Sequence, residues 1–136
     1  MIWLLDTDTL AYLINRSAGS ERIKRRLSGR SPGEVRLSAI TLCEIHFGLA
    51  RGDVSLERRE ALDELLALFE VEDYPAAAAR DFGEIRTALE RAGKRIGPYD
   101  LLIAAHARHI GAVLVTNNER EFRRVPGLGV QNWLKP

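Results

Sequence analysis

Two short apolar runs, each ending at polar residues, constrain the fold of this chain more than any other feature. Residues 2–5 are apolar and are followed at once by Asp6, and residues 112–116 form a β-branched run that ends at Asn117 and Asn118. Apolar runs of strand length with polar or turn residues at their ends indicate buried strands. Helical segments lie between them, so the sequence predicts an α/β fold around a parallel sheet.

The segments between the predicted strands carry helix start signals. Ser38 and Ser55 can each cap the N-terminus of a helix, and Thr7 or Asp8 can do so near the start of the chain. The predicted helices cover approximately residues 8–15, 20–28, 39–51, 56–68, 75–92 and 98–110, and further strands cover residues 35–37, 69–72 and 130–133. Because strands alternate with helices, we predict a parallel β-sheet flanked by helices on both faces.

Size and composition predict a single domain over residues 1–136, since single-core domains cluster at roughly 100–150 residues. No stretch approaches the roughly 18 uncharged apolar residues of a membrane span. The N-terminal run lacks a basic leader, so we expect no signal peptide. The single cysteine, Cys43, lies in an apolar helical run and is expected to be a small buried side chain. One cysteine excludes an internal disulfide and favours a reducing compartment, so we expect a cytoplasmic protein.

Acidic residues in apolar surroundings are the candidates for chemistry. Asp6 follows the first strand, and ligands of open α/β sheets collect at the carboxyl ends of strands. Glu44 lies in a predicted helix that is apolar nearly all round, which predicts a buried helix. A buried carboxylate must be neutralised, paired or bound to a metal, because desolvating an unpaired charge costs several kcal/mol.

Asp100 opens the uncharged helical segment that follows Gly97 and Pro98. A structural explanation exists, since an acid in the first turn of a helix is stabilised by the helix dipole. However, Ile103 and Ala104 share its face of the helix, which points the carboxylate toward the interior. Converging carboxylates repel one another, and a hard divalent cation such as Mg²⁺ relieves that repulsion. The chemistry indicated is metal-assisted hydrolysis of a phosphodiester.

The net charge of +1 would be clearly positive without the candidate site acids. Lysine and arginine total 20 against 19 acidic residues, and without Asp6, Asp8, Glu44 and Asp100 only 15 acids remain. Basic residues cluster at positions 22–26, 91–95 and 120–124. Such clusters can hold phosphates, although they are also typical of solvated helix faces.

Four segments together resemble the motifs of PIN-domain toxins of the VapC type. They are residues 4–8 (LLDTD), 38–44 (SAITLCE), 96–107 (IGPYDLLIAAHA) and 114–122 (LVTNNEREF). Residues 125–128 (VPGL) and 132–134 (NWL) are similar to the tail of the VapC subgroup called tRNA(fMet)-specific endonucleases. The resemblance covers nearly the whole chain, with the segments in the family's order and spacing.

The resemblance implies a PIN fold, a site for Mg²⁺ or Mn²⁺ and cleavage of single-stranded RNA. It also implies a homodimer that is inhibited by a cognate VapB-like antitoxin, and tRNA is the expected substrate, with the anticodon loop of initiator tRNA as the leading candidate. Asp6, Glu44 and Asp100 match the family's metal-binding acids, and Thr116 and Asn118 match two further site positions. Asp8 departs from the family, which usually has Asn at that position.

The pair of Asp6 and Asp8 also suggests an alternative function, in a different class of enzyme. Residues 4–10 also resemble the first motif of haloacid-dehalogenase-type phosphatases, with Asp6 as nucleophile and Asp8 as general acid/base. That mechanism needs an acid pair after a late strand, where this chain has Thr116, Asn117 and Asn118.

Three further interpretations concern binding. A non-enzymatic RNA-binding module would explain the basic clusters but not unpaired carboxylates. His106 and His109 are spaced for a zinc site, but further ligands at suitable spacing are missing, which favours ordinary helix-face histidines. Trp3 and Trp133 are expected to be core or interface anchors, and Tyr99 could line a substrate groove beside Asp100.

Overall fold

A computed structural model describes residues 1–136 and has a five-stranded parallel sheet at its centre. The strands are β1 (Trp3–Leu5), β2 (Val35–Ser38), β3 (Glu70–Glu72), β4 (Val113–Val115) and β5 (Val130–Gln131). Their order across the sheet is β3-β2-β1-β4-β5, and every neighbouring pair is parallel. The predicted α/β fold is therefore confirmed, and β1 and β4 lie side by side near the middle of the sheet.

Seven helices connect and follow these strands. They are α1 (Thr7–Ile14), α2 (Ser20–Ser28), α3 (Ala39–Arg51), α4 (Leu56–Leu66), α5 (Ala78–Arg91), α6 (Pro98–Ile110) and α7 (Glu119–Phe122). Ser38 and Ser55 cap α3 and α4 as predicted, through bonds to the backbone N–H groups of Ile40 and Arg58. The helix predicted from Pro75 begins at Ala78, and α7 was not predicted. No helix has both the length and the apolar character that crossing a bilayer requires.

The two faces of the sheet bury separate apolar cores, as the alternation of side chains along a strand requires. Leu4 points to a core that contains Ile85 of α5 and Ile103 of α6. Its neighbour Leu5 points to the opposite core, which contains Leu10 of α1 and Ile23 of α2. Helices therefore cover both faces of the sheet, as the sequence predicts.

Helix α3 is less buried than its apolar sequence predicts. Only Thr41 is fully buried on this helix, and Phe47 is 65% exposed. The prediction that Cys43 is buried is wrong, because its side chain is exposed. Apolar residues all round a helix predict burial only if neighbours cover every face, and in the isolated chain one face of α3 has no cover.

Candidate active site

The carboxyl ends of β1 and β4 form the floor of an acidic pocket. Asp6 directly follows β1, and Thr116 directly follows β4, which pairs with β1. An open cavity of about 430 Å³ lies above them, and no hydrophobic residue lines it. Its lining residues are Asp6, Asp8, Asp100, Asn117 and Asn118. We call this cavity the acidic pocket.

Asp6 is held rigidly at the base of the acidic pocket. Its Oδ1 accepts a hydrogen bond from the backbone N–H of Thr9 at 2.8 Å, so Asp6 is the N-cap of α1. Its Oδ2 accepts a hydrogen bond from the Thr116 hydroxyl. Desolvation by burial raises the pKa of Asp6 to about 6, and these hydrogen bonds oppose the rise. The prediction of Thr7 or Asp8 as the cap is wrong, because the helix starts directly after the strand and leaves Asp6 in the cap position.

Asp100 reaches the same pocket from the first turn of α6. Burial and the negative charge of Asp6 raise the pKa of Asp100 to about 6, with smaller contributions from Glu44, Glu121 and Asp8. Four carboxylates therefore lie close enough to Asp100 to raise its pKa. None of Asp6, Asp8, Glu44, Asp100 and Glu121 forms an ion pair with a basic side chain.

Glu44 lies beside the acidic pocket rather than in its lining. Its carboxylate accepts a hydrogen bond of 2.6 Å from the Thr7 hydroxyl, which also lies 3.3 Å from the Thr41 hydroxyl. Glu44 also lines a separate cavity of about 300 Å³ together with Cys43, Phe47 and Tyr99. Sequence reasoning missed the role of Thr7 in holding Glu44. The available signal was its position in the first turn of α1, next to Asp6.

Thr116 and Asn118 connect the pocket to α7. The buried Thr116 hydroxyl donates to Asp6 and accepts a 2.9 Å bond from the backbone N–H of Asn118. The Asn118 side-chain amide donates to Glu121 Oε2 at 2.8 Å. Sequence reasoning gave Glu121 no role, although it lies three residues after Asn118, at helical spacing. Both predicted residues are therefore at the site, and both position acidic side chains.

His106 and His109 lie on the same helix but contact different partners. The buried His106 has its Nδ1 2.8 Å from the Ser38 hydroxyl, whereas Nδ1 of His109 lies 3.0 Å from Asp81. Because they contact different partners, these two side chains do not share a ligand position.

The donors of the acidic pocket fit a hard divalent cation. They are carboxylate and amide oxygens, which Mg²⁺ prefers, and no basic side chain neutralises them. No three acidic, cysteine or histidine side chains of the chain form a ready-made metal cluster. A pocket with few fixed carboxylates suits Mg²⁺, because this ion usually keeps several waters and takes one or two carboxylates from the protein.

Comparison with known proteins identifies the family. The PIN domain family model matches residues 3–128. The chain belongs to the PIN-domain family. This result decides against the haloacid-dehalogenase-type phosphatase, which the absence of an acid pair after β4 already disfavours.

Within the PIN-domain family, the chain is similar to VapC ribonucleases. It is 38% identical to Ribonuclease VapC2 of Rickettsia felis, over 99% of this chain and 100% of the relative. It is 39% identical to the tRNA(fMet)-specific endonuclease VapC of Salmonella typhimurium, over 96% of this chain and 97% of the relative. The predicted membership of the VapC type is confirmed.

Solved structures of VapBC complexes are also similar to this chain. The crystal structure of VapBC2 from Rickettsia felis bound to a promoter DNA fragment matches with a TM-score of 0.87 and 37% identity. That match covers 98% of this chain and 99% of the other. The DNA-bound VapBC of Salmonella typhimurium matches with a TM-score of 0.88, 35% identity and 98% coverage of both chains.

Proposed function

We propose that this PIN domain is a metal-dependent endoribonuclease, the toxin of a VapBC-type pair, and that its substrate is tRNA. The observation that carries the proposal is the acidic pocket, where carboxylates without basic partners meet at the carboxyl ends of β1 and β4. The names of the full-length relatives support the same activity.

Asp6 and Asp100, which line the acidic pocket, are the residues that would hold Mg²⁺ or Mn²⁺, and Glu44 at its edge is the third proposed metal-binding acid. A bound divalent ion supplies a water of lowered pKa and stabilises negative charge on the phosphodiester. The chain's own contribution is to fix these carboxylates. Thr116 and the backbone of Thr9 orient Asp6, and the Thr7 hydroxyl holds Glu44 at the edge of the pocket.

The tRNA substrate is supported by relatives in two organisms. The proteins of Salmonella typhimurium and Shigella flexneri, 39% and 36% identical to this chain, are both named tRNA(fMet)-specific endonucleases. The identity covers at least 96% of this chain in each case. We therefore propose initiator tRNA as the substrate, with its single-stranded anticodon loop as the cleavage site.

Two protein partners belong to the proposal. The similar solved structures from Rickettsia felis and Salmonella typhimurium are VapBC complexes, which supports a VapB-like antitoxin for this chain. The exposed apolar face that contains Phe47 of α3 and Tyr99 of α6 supports a homodimer. Large exposed apolar side chains that lie together are typical of protein interfaces.

Incubation of the purified protein with total tRNA tests the proposed function. We expect discrete cleavage products with Mg²⁺ or Mn²⁺, and none with EDTA or with the Asp100→Asn variant. Sequencing of the new 5′ ends identifies the tRNA and the position of the cut. Binding of RNA without cleavage under all metal conditions would favour the non-enzymatic RNA-binding module instead.

A further inference from the structure

A second groove adjoins the acidic pocket on the side of α2. It has a volume of about 560 Å³ and is bordered by α1, α2 and the C-terminal segment. Its lining residues are Tyr12, Ala18, Gly19, Glu21, Arg22, Arg25, Asn117 and Leu134. We call it the α2 groove. We propose that the α2 groove binds a nucleotide of single-stranded RNA next to the phosphodiester that is cut, an inference that rests on the proposed nuclease function.

The α2 groove is continuous with the acidic pocket through one side chain. Asn117 lines both cavities. Its amide nitrogen donates to the Tyr12 hydroxyl at 3.3 Å, and its amide oxygen accepts from Asn132 at 3.3 Å. Asn117 is therefore held between two partners at the boundary. An RNA strand that places a phosphate in the acidic pocket can place its neighbouring nucleotide in the α2 groove.

The charges of the α2 groove suit a phosphate. Arg22 is held in place, because its guanidinium donates to the Leu134 carbonyl at 2.8 Å. Arg25 makes no side-chain hydrogen bond and no ion pair, although it is exposed on the same groove. Glu21 is the acidic residue of the lining, and it forms an exposed ion pair with Lys24 at 3.2 Å. Two arginines are thus left to contact phosphate oxygens, for which the planar guanidinium is well suited.

The other two basic clusters, at residues 91–95 and 120–124, line neither the acidic pocket nor the α2 groove. Arg95 lines a cavity between α5 and α6 that shares no residue with the acidic pocket. Arg123 pairs with Glu119 at 3.5 Å. The cavity lined by Glu44 includes the exposed side chains of Phe47 and Tyr99 and has no basic residue in its lining. The α2 groove shares a lining residue with the acidic pocket and is also lined by two arginines, so its positive charge favours binding of RNA there.

Tyr12 gives the α2 groove an aromatic surface. Its ring is half-buried and its hydroxyl is fixed by Asn117, so the side chain is presented with little freedom. Stacking of a base on an aromatic ring is tolerant of sequence and is a common means of binding single-stranded nucleic acid. We expect a base to stack on Tyr12 while its phosphate contacts Arg25.

Matched substitutions on α2 test the inference. Arg25 lines the groove, whereas its neighbour Arg26 has the same charge on the same helix and does not. Binding of a short fluorescein-labelled single-stranded RNA is measured by anisotropy in the Asp100→Asn background, which prevents cleavage. We expect Arg25→Gln to weaken binding about fivefold or more and to reduce the salt slope of log K by about 0.7, the contribution of one phosphate contact to single-stranded RNA. Arg26→Gln should change affinity by less than about twofold.

Substitution of Tyr12 tests stacking separately. We expect Tyr12→Leu to weaken binding about tenfold, the lower range for loss of base stacking on an aromatic ring, and Tyr12→Phe to keep most of the affinity. Circular dichroism and thermal unfolding of both variants identify any loss caused by misfolding. Equal affinities for Tyr12→Leu and Tyr12→Phe, with both variants folded, would contradict stacking.

The outcomes distinguish this inference from the proposed function. If the wild type cleaves RNA but Arg25→Gln and Arg26→Gln bind alike, the α2 groove is not the subsite and the nuclease assignment stands. If the wild type cleaves no RNA and the Asp100→Asn protein binds none, both proposals fail. Restoration of the salt slope by Arg25→Lys, which keeps the positive charge, would support a phosphate contact.

Discussion

The carboxylate of Asp6 has two roles, because it caps helix α1 and also lines the acidic pocket. It caps α1 through the backbone N–H of Thr9 and accepts a hydrogen bond from Thr116. Because the buried carboxylate is poorly solvated, its pKa is raised to about 6. The folded state therefore binds more protons than the unfolded state between about pH 4 and pH 6. The free energy of unfolding of the metal-free protein should fall as the pH rises through this window.

Asp6→Asn should abolish RNA cleavage and stabilise the metal-free protein. A pKa of about 6 against 3.8 corresponds to about 3 kcal/mol of destabilisation at pH 7, and to less than about 1 kcal/mol at pH 4. Urea unfolding in EDTA at these two pH values measures the difference. The exposed Asp53, changed to Asn, is the control. A stability difference that does not depend on pH would contradict this account of Asp6.

Asp8 lines the acidic pocket but is exposed, in the first turn of α1. We expect Asp8→Asn to cleave RNA within about tenfold of the wild type at saturating Mg²⁺, a change of about 1.4 kcal/mol in the barrier. Loss of a general acid/base would cost roughly 10²- to 10⁴-fold instead. Single-turnover cleavage across a Mg²⁺ titration separates these cases. A loss beyond about a hundredfold in a folded variant would make Asp8 a catalytic residue.

At the scale of elements, a buried polar contact joins the two helices that carry Glu44 and Asp100. The Ser38 hydroxyl accepts from the backbone N–H of Ile40 at the start of α3 and lies 2.8 Å from Nδ1 of His106 on α6. Burial lowers the pKa of His106, which favours the neutral ring, and its Nδ1 shares a hydrogen bond with the Ser38 hydroxyl. This contact fixes α3 relative to α6.

Ser38→Ala should therefore destabilise the protein more than Ser55→Ala. Both serines cap helices, and loss of a cap costs about 1 kcal/mol. Ser38→Ala also leaves the buried Nδ1 of His106 without a partner, which adds about 1–3 kcal/mol. Urea unfolding of the two variants at pH 7 measures both losses. Equal losses would mean that the contact between Ser38 and His106 contributes nothing to stability.

The sequence predicts the sheet and most of the helices because their signals are local. Buried strands are continuous apolar runs, and the serines and glycines at helix ends have direct physical roles. Helix α7 has only four residues, too few for a periodic pattern, so the sole local signal for Glu121 was its spacing of three residues from Asn118. Asp100 was found because an acid in an uncharged run is conspicuous, whereas Thr7 has an ordinary place in a helix.

The burial of α3 was predicted wrongly for a reason that belongs to the whole molecule. An apolar side chain such as that of Phe47 favours burial, but the sequence does not say whether the residues that bury it belong to the same chain or to a partner. In the isolated chain Phe47 is 65% exposed, beside the cavity that contains Glu44. The molecule therefore has an exposed apolar flank at α3 and a basic flank at α2, and the basic flank borders the acidic pocket at Asn117.

We expect the apolar flank to hold the proposed homodimer together. Phe47→Glu removes a large apolar contact and places a charge in the interface, at a cost of about 3 kcal/mol or roughly a hundredfold in the dimer dissociation constant. Leu68→Glu is the matched control, because Leu68 is 71% exposed and lies outside the cavity lined by Phe47 and Glu44. Sedimentation velocity over a range of concentrations should find dimers for the wild type and Leu68→Glu and monomers for Phe47→Glu. A Phe47→Glu protein that sediments as a dimer would place the interface elsewhere, and the exposure of α3 would then need another partner, such as the antitoxin.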